Sequence, residues 1–148
     1  MRKSLEWLKP RHLIFDFLIS SFADTSILIA LIASDEEQSI ITQVIKNHQL
    51  VCSTSIYAEV GNAISSMLKR RRITLDQAIQ MLYDFEQLSF ETVAFDLRRA
   101  IQLCHDYKIY AYDAYILESA SRLNLPLLTL DKQMQTTAKL LNITTIEV

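Results

Sequence analysis

Pro126-Leu127-Leu128-Thr129-Leu130-Asp131-Lys132 reads as an apolar strand opened by a proline and closed by an aspartate that hands over to a helix. Proline fits the first residue of a strand, where its missing N–H breaks no ladder bond. An apolar run with little alternation marks a strand covered on both faces, as strands of a parallel sheet are. The helix after Asp131 runs to Leu141, and Ile143 to Ile146 forms a closing strand. The same order of strand, acid and helix opens the chain's folded part. Phe17 to Ala23 is a strand, weakened by Ser20 and Ser21, and Asp24-Thr25-Ser26 supplies capping residue types for the apolar helix Ile27 to Ile32.

Between these two units the periodicity alternates again. A second helix spans Asp35 to Lys46 and ends near Asn47. Leu50-Val51-Cys52-Ser53 is a short strand, and Thr54 and Ser55 are candidate caps for a helix reaching Arg70. Ile56, Val60, Ala63, Ile64, Met67 and Leu68 fall on one face of that helix. Thr74 with Gln77 forms a capping box for the next helix. Phe90 to Ala94 is a strand, Asp96 to Tyr107 and Tyr112 to Leu123 are helices, and Asn124 can end the latter in the left-handed conformation. Strands alternating with helices imply right-handed βαβ units. The expected fold class is therefore α/β: a central, mainly parallel sheet flanked by helices on both faces. Residues 17–148 form one domain. Residues 1–16 are an N-terminal extension of uncertain role, with a short helix around Ser4–Leu8 stopped near Pro10 and packing Trp7 on the domain.

Composition excludes several chemistries. The one glycine, Gly61, is too few for a phosphate loop, a dinucleotide turn or a nucleophile elbow, each of which needs more than one. His12, His48 and His105 are far apart and form no H-x-x-x-H pair, and the two cysteines form no C-x-x-C pair, so no structural zinc site is expected. Cys52 and Cys104 read as buried thiols of a reducing, cytoplasmic interior. Lys9, Arg11, His12 and Asp16 interrupt the early apolar stretch, which argues against a secretory signal or a membrane span. A net charge of −2 means that binding to nucleic acid would need a local basic patch.

Four acids stand where strands or loops give way to helices: Asp24, Glu59, Asp113 and Asp131. In an open α/β sheet, sites form beyond the carboxyl ends of the strands, so acids at several such ends can meet in one cleft. Carboxylate oxygens are the charged ligands of hard divalent cations. Each acid taken singly is also explained as a helix cap or a surface charge.

The motifs around these acids resemble the PIN-domain family and, within it, the VapC-type toxins of toxin–antitoxin pairs. The resemblance rests on Asp24-Thr25-Ser26, Glu59-Val60-Gly61-Asn62-Ala63, Tyr112-Asp113-Ala114-Tyr115 and Leu127-Leu128-Thr129-Leu130-Asp131, which follow in the family's order from about Ile19 to the end of the chain. It implies a Mg²⁺- or Mn²⁺-dependent endoribonuclease whose acidic cluster is Asp24, Glu59, Asp113 and Asp131. Ser26 and Thr129 would supply hydroxyls that orient the carboxylates. It further implies an RNA substrate, a small antitoxin protein that covers the cleft, and a homodimer. Two other readings stay open: a housekeeping PIN nuclease of RNA maturation, and a non-catalytic module that binds RNA or protein.

The resemblance implies that these acids share a metal. Asp24 and Asp113 are the expected direct ligands, with Asp131 next and Glu59 acting through water. Lys69-Arg70-Arg71-Arg72 is either favourable charge at a helix carboxyl end or a patch that contacts RNA phosphates. Arg98-Arg99 admits the same two readings. Tyr107, Tyr110, Tyr112 and Tyr115 serve in packing or in base stacking.

Overall fold

A computed structural model describes residues 18–33 and 36–148. Among the described residues five strands form a single sheet, β1 (Ile19–Ala23), β2 (His48–Ser53), β3 (Phe90–Val93), β4 (Leu127–Leu128) and β5 (Thr145–Ile146), in the order β3-β2-β1-β4-β5. Every pairing is parallel, so the expected mainly parallel sheet is wholly so. Phe22 lies opposite both Val51 and Leu127, which makes β1 the centre of the sheet. The helices are α1 (Thr25–Ile32), α2 (Glu36–Val44), α3 (Ile56–Lys69), α4 (Leu75–Glu86), α5 (Leu97–Tyr107), α6 (Ala111–Leu123) and α7 (Lys132–Leu140).

Side chains of successive strand residues point to opposite faces, and the core divides accordingly. Ala23, Leu50, Cys52 and Leu128 pack with α1 to α4. Phe22, Val51 and Leu127 pack with α5 to α7. Both faces are therefore covered, the condition under which an all-parallel sheet is stable. Among the described residues no helix is long and apolar enough to cross a membrane.

Several boundaries moved, each for a local reason. Backbone hydrogen bonding that β4 would need at Thr129 and Leu130 goes elsewhere: the Leu130 amide donates to Ser26 Oγ at 2.9 Å, and the Thr129 carbonyl accepts from Gln135 Nε2 at 3.0 Å. The strand expected to reach Leu130 accordingly stops at Leu128. The second helix tightens into a 3₁₀ turn at Ile45–Asn47 before β2, which begins at His48 rather than Leu50. β1 starts at Ile19, after Leu18, while Phe17 of the expected span lies outside the described residues, and β5, expected from Ile143, covers only Thr145 and Ile146. The capping box of Thr74 and Gln77 forms, and Asn124 takes the left-handed conformation with φ 52°. Ser21 is fully buried in β1, with His48 Nδ1 2.6 Å from its hydroxyl, which reconciles a polar residue with a central strand. The helix expected around Ser4–Leu8 and the contact of Trp7 lie outside the described residues, as does Asp35.

Candidate active site

The order of the sheet places the ends of β1, β2 and β4 side by side, and each feeds an acid into the same region. Asp24 follows β1 and caps α1, accepting from the Ser26 amide at 2.9 Å and the Ile27 amide at 3.4 Å. The Ser26 hydroxyl makes a short bond to the same oxygen, Oδ1. The other oxygen, Oδ2, accepts from Thr129 Oγ1 at 2.5 Å. Thr129 also accepts from the Asp131 amide at 3.0 Å, while Gln135 Nε2 donates to the Thr129 carbonyl at 3.0 Å. The two hydroxyls expected to orient carboxylates thus both serve Asp24, and they tie the β1–α1 junction to the β4–α7 junction.

Glu59 lies in the first turn of α3 and is only 8% exposed. Thr25 Oγ1 donates to its Oε1 at 2.8 Å and Ser55 Oγ to its Oε2 at 2.6 Å. Asp113 sits in the first turn of α6, half-buried, and no hydrogen bond from a described residue reaches its carboxylate. Asp131 is exposed and caps α7, accepting from the Met134 amide at 2.9 Å. For Asp24 and Asp131 the capping explanation is therefore true as well. It leaves unexplained why Glu59 and Asp113, neither of which caps a helix, are found beside them.

Electrostatics link the four into one set. Burial raises the Asp24 carboxyl above its ordinary range, against four hydrogen bonds that favour the charge. Burial raises Glu59 too, with the charges of Asp24 and Asp113 adding to the rise. Asp113 is raised by burial, then by Asp131, then by Asp24. Cys52, beneath them in β2, is pushed up by burial and by Glu59 and Asp24, so it stays an inert thiol. Among the described residues no lysine, arginine or histidine forms an ion pair with any of the four acids. Within the described residues nothing compensates the cluster's negative charge.

The donor chemistry suits a hard cation, since it consists of carboxylates and hydroxyls without imidazole. Among the described residues, no three histidine, cysteine, aspartate or glutamate side chains stand close enough together to enclose a metal ion as they are placed. A Mg²⁺ ion does not require that, because it keeps several waters and is held by one or two carboxylates. The donor types suit a hydrated ion rather than a dry protein cage, which the described residues do not form.

The other expected residues fall elsewhere. Lys69 to Arg72 are exposed at the carboxyl end of α3, with Arg71 left-handed at φ 54°. Glu59 is in the first turn of that helix, so the basic run begins about 15 Å from it along the axis. Arg98 and Arg99 are exposed at the start of α5. Tyr110, at the N-cap of α6, is 87% exposed, whereas Tyr115 stacks on Phe95 with ring centroids 3.9 Å apart. Reading the sequence missed Thr25 and Ser55 as partners of Glu59. A serine four positions before a helical acid, on the same face, was the available signal for one of them. It also missed Glu118, buried in α6, which accepts from the Asp96 amide at 3.0 Å and pairs with Arg122 at 2.8 Å.

The architecture is shared with solved proteins. Over 87% of this chain and 98% of theirs, it is similar to VapBC-5 of Mycobacterium tuberculosis, a member of the VapBC family of toxin–antitoxin systems (21% identity, TM-score 0.59). VapBC2 of Rickettsia felis, bound to a DNA fragment from its promoter, is similar over 86% of this chain and 98% of that one (18% identity, TM-score 0.61). VapC20 of Mycobacterium tuberculosis, a sarcin-ricin loop cleaving toxin, is similar over 86% and 97% (16% identity, TM-score 0.59). At these identities the likeness is one of fold. No curated protein matches the sequence. The PIN domain profile matches residues 21–140, from the centre of β1 to the end of α7 and across all four acids, and the chain therefore belongs to the PIN-domain family.

Proposed function

We propose that this protein is a divalent-metal-dependent endoribonuclease, the toxin of a toxin–antitoxin pair. The observation that carries the reading is the set of four coupled carboxylates, two of them buried, with no cation paired to any of them among the described residues. Keeping such a set costs stability, so a chain that retains it has a use for the charge. Asp24 and Asp113 are the residues that would hold Mg²⁺ or Mn²⁺ directly, with Asp131 adjacent and Glu59 acting through water. When bound, the ion supplies an acidified water and neutralises charge on the phosphoryl group.

The chain's own residues supply position and polarity. Ser26 and Thr129 hold the two Asp24 oxygens in fixed directions. Asp113, free of hydrogen bonds from described residues, keeps its lone pairs for ligand. Asp131, the exposed member, is placed to meet solvent and substrate first. No side-chain nucleophile is needed, since water attacks phosphorus and the RNA oxygen leaves. Lys69 to Arg72 would contact RNA phosphates away from the scissile bond, and their loss would weaken binding and lower its salt dependence.

The toxin assignment draws on the fold shared with toxins of known pairs, and it implies a small antitoxin that covers the acidic cleft. A second copy of the chain is the other expected partner. Leu75 and Ile79 on α4, and Leu97 and Ile101 on α5, leave large apolar side chains in water that a homodimer would cover. A monomeric mass at high micromolar concentration in sedimentation would remove the dimer.

The decisive experiment is cleavage of a panel of transfer, ribosomal and messenger RNAs with Mg²⁺ or Mn²⁺. Wild type should cut at least one of them and stop with chelator, and Asp113→Asn should be inactive. Cleavage that is indifferent to chelator or to Asp113→Asn would overturn the assignment.

A further inference from the structure

We infer that Ser55 is a positioning residue for Glu59, acting with Thr25, and that α3 gives up its side-chain cap to provide it. The inference rests on the ribonuclease reading and adds to it two residues outside the acidic set.

Ser55 occupies the N-cap of α3, a position where serine ranks among the best residues because its oxygen can accept from an unpaired helix amide. It makes no such bond. Its backbone is already helical, with φ −68° and ψ −11°, and its carbonyl accepts from the Glu59 amide at 3.0 Å. The hydroxyl turns instead to Glu59 Oε2 at 2.6 Å. At the N-caps of α1, α4, α5 and α7 the polar side chain accepts from a backbone amide in the ordinary way, at Asp24, Thr74, Asp96 and Asp131. Tyr110 at the N-cap of α6 makes no such bond either, but Ser55 is of a type that caps well, and what it serves in place of the helix is a member of the acidic cluster.

The Glu59 carboxylate is held at both ends. Thr25, from the first turn of α1, takes Oε1 at 2.8 Å, and Ser55, from the start of α3, takes Oε2. Its plane is thereby set by two separate elements, with little rotation left about its last torsion. A further hydroxyl lies behind the first. Ser53 Oγ, at the buried end of β2, is 2.8 Å from Ser55 Oγ and accepts from the Ser55 amide at 3.2 Å. A hydroxyl has one hydrogen to give, and an ionised carboxylate only accepts. With Ser55 donating to Glu59, the bond between the serines runs from Ser53 to Ser55, so the end of β2 is wired to the carboxylate. Groups that orient a ligand or a water-holding acid in this way are worth roughly 10- to 100-fold in metal affinity or activity.

Four proteins test this: Ser55→Ala, Ser55→Thr, Glu59→Gln and the double change Ser55→Ala with Glu59→Gln. Three measurements are made on each: Mn²⁺ affinity by titration calorimetry, kcat and KM on a cleaved RNA, and thermal unfolding. Ser55→Ala should weaken Mn²⁺ binding and lower kcat by roughly 10-fold with KM for RNA nearly unchanged. Ser55→Thr should restore most of both. In the Glu59→Gln background, Ser55→Ala should add little, because the group it positions has already been altered. If Ser55→Ala fails to fold, Thr25→Val frees the other oxygen and carries the same expectations. Wild-type Mn²⁺ affinity and kcat in Ser55→Ala, or a full further loss in the double variant, would overturn the positioning role alone. A wild-type protein that neither binds Mn²⁺ nor cuts RNA would overturn the ribonuclease reading, and this role with it.

Discussion

Thr129 donates its hydroxyl to Asp24 Oδ2 across 105 positions of sequence, and both side chains are buried, at 1% and 4% exposure. One bond thus joins the end of the central strand to the end of its neighbour, and the same hydroxyl accepts the Asp131 amide. Thr129→Val keeps the shape and removes the hydroxyl. It leaves a buried carboxylate short of a donor and an amide short of an acceptor. A loss of about 2–3 kcal/mol is expected, given the cost of unsatisfied buried groups and the added weight of a charged one. Urea unfolding measures it, with Thr129→Ser as the control that should recover most of the loss. A midpoint unchanged in Thr129→Val would mean that the bond contributes nothing.

The three raised carboxyls set the direction of the protein's pH dependence. Asp24, Glu59 and Asp113 are each lifted by burial above ordinary values of 3.8, 4.5 and 3.8. Between those values and the raised folded ones, the folded state binds more protons than the unfolded chain. Their stabilising contribution is complete below the ordinary values and is lost as pH rises through the folded ones. These three carboxyls should accordingly lower the metal-free Tm from about pH 5 towards neutrality, against an opposite contribution from His48, which burial lowers. A divalent ion at about 100 times its Kd should restore about 2.7 kcal/mol at neutral pH and less at acid pH, where protons compete for the same oxygens. Calorimetry in chelator and in Mn²⁺ across that range decides. A metal-free Tm that climbs with pH through this window would contradict the electrostatic account.

Asp113 offers a sharper contrast, because its effects on stability and activity should have opposite signs. Its carboxylate is raised by burial and by its neighbours Asp131 and Asp24, and receives no hydrogen bond from a described residue. Asp113→Asn removes the like charge at nearly constant volume. Solvent reaches this half-buried group and screens the repulsion, so the gain in the metal-free protein is at most about 1 kcal/mol, or about 2–4 °C in Tm for a domain of this size. RNA cleavage should disappear. A variant that is both less stable without metal and inactive would point to a structural role.

Much of this was legible in the sequence, and the failures have a common cause. Periodicity located β1, β2, β4 and their following helices because burial on both faces leaves long apolar runs, as at Leu127 and Leu128. The acids were legible because they stand at strand ends, where topology leaves little freedom about which way they face. What could not be read was how hydroxyls are apportioned. Thr54 and Ser55 were equally good caps by residue type, yet Ser55 turned to Glu59 instead. Thr129 and Leu130 continued an apolar strand by composition, yet their hydrogen bonds went to Asp24 and Ser26. The Glu118–Arg122 pair, four positions apart on α6, was not singled out from the sequence. Glu118 is buried there because it accepts from the Asp96 amide, while the exposed Arg122 reaches the Ala94 carbonyl at 2.6 Å. Ser55 and Glu59 are only four positions apart, but the other choices depend on partners at least 22 positions away in sequence.

Gly61 supplies the last prediction. It lies inside α3, where its φ is not positive, so the backbone does not require glycine there. A methyl group at this position would meet nothing within 4 Å. Its surroundings are open because it lies on the wall of a cavity of about 400 Å³ between α3, α4 and β3, lined also by Tyr57, Val60, Leu82, Phe85 and Phe90. Glycine within a helix costs about 0.5–1 kcal/mol relative to alanine, mainly through the freedom of the unfolded chain. Gly61→Ala should therefore stabilise the isolated protein by that amount, about 1–4 °C in Tm. Glu59, two positions earlier, keeps both of its hydroxyl partners, so RNA cleavage should be unchanged. A lower Tm would mean that the cavity is filled in solution by something the added methyl displaces. Sedimentation of wild type and Gly61→Ala side by side would then show whether that occupant is a second copy of the chain.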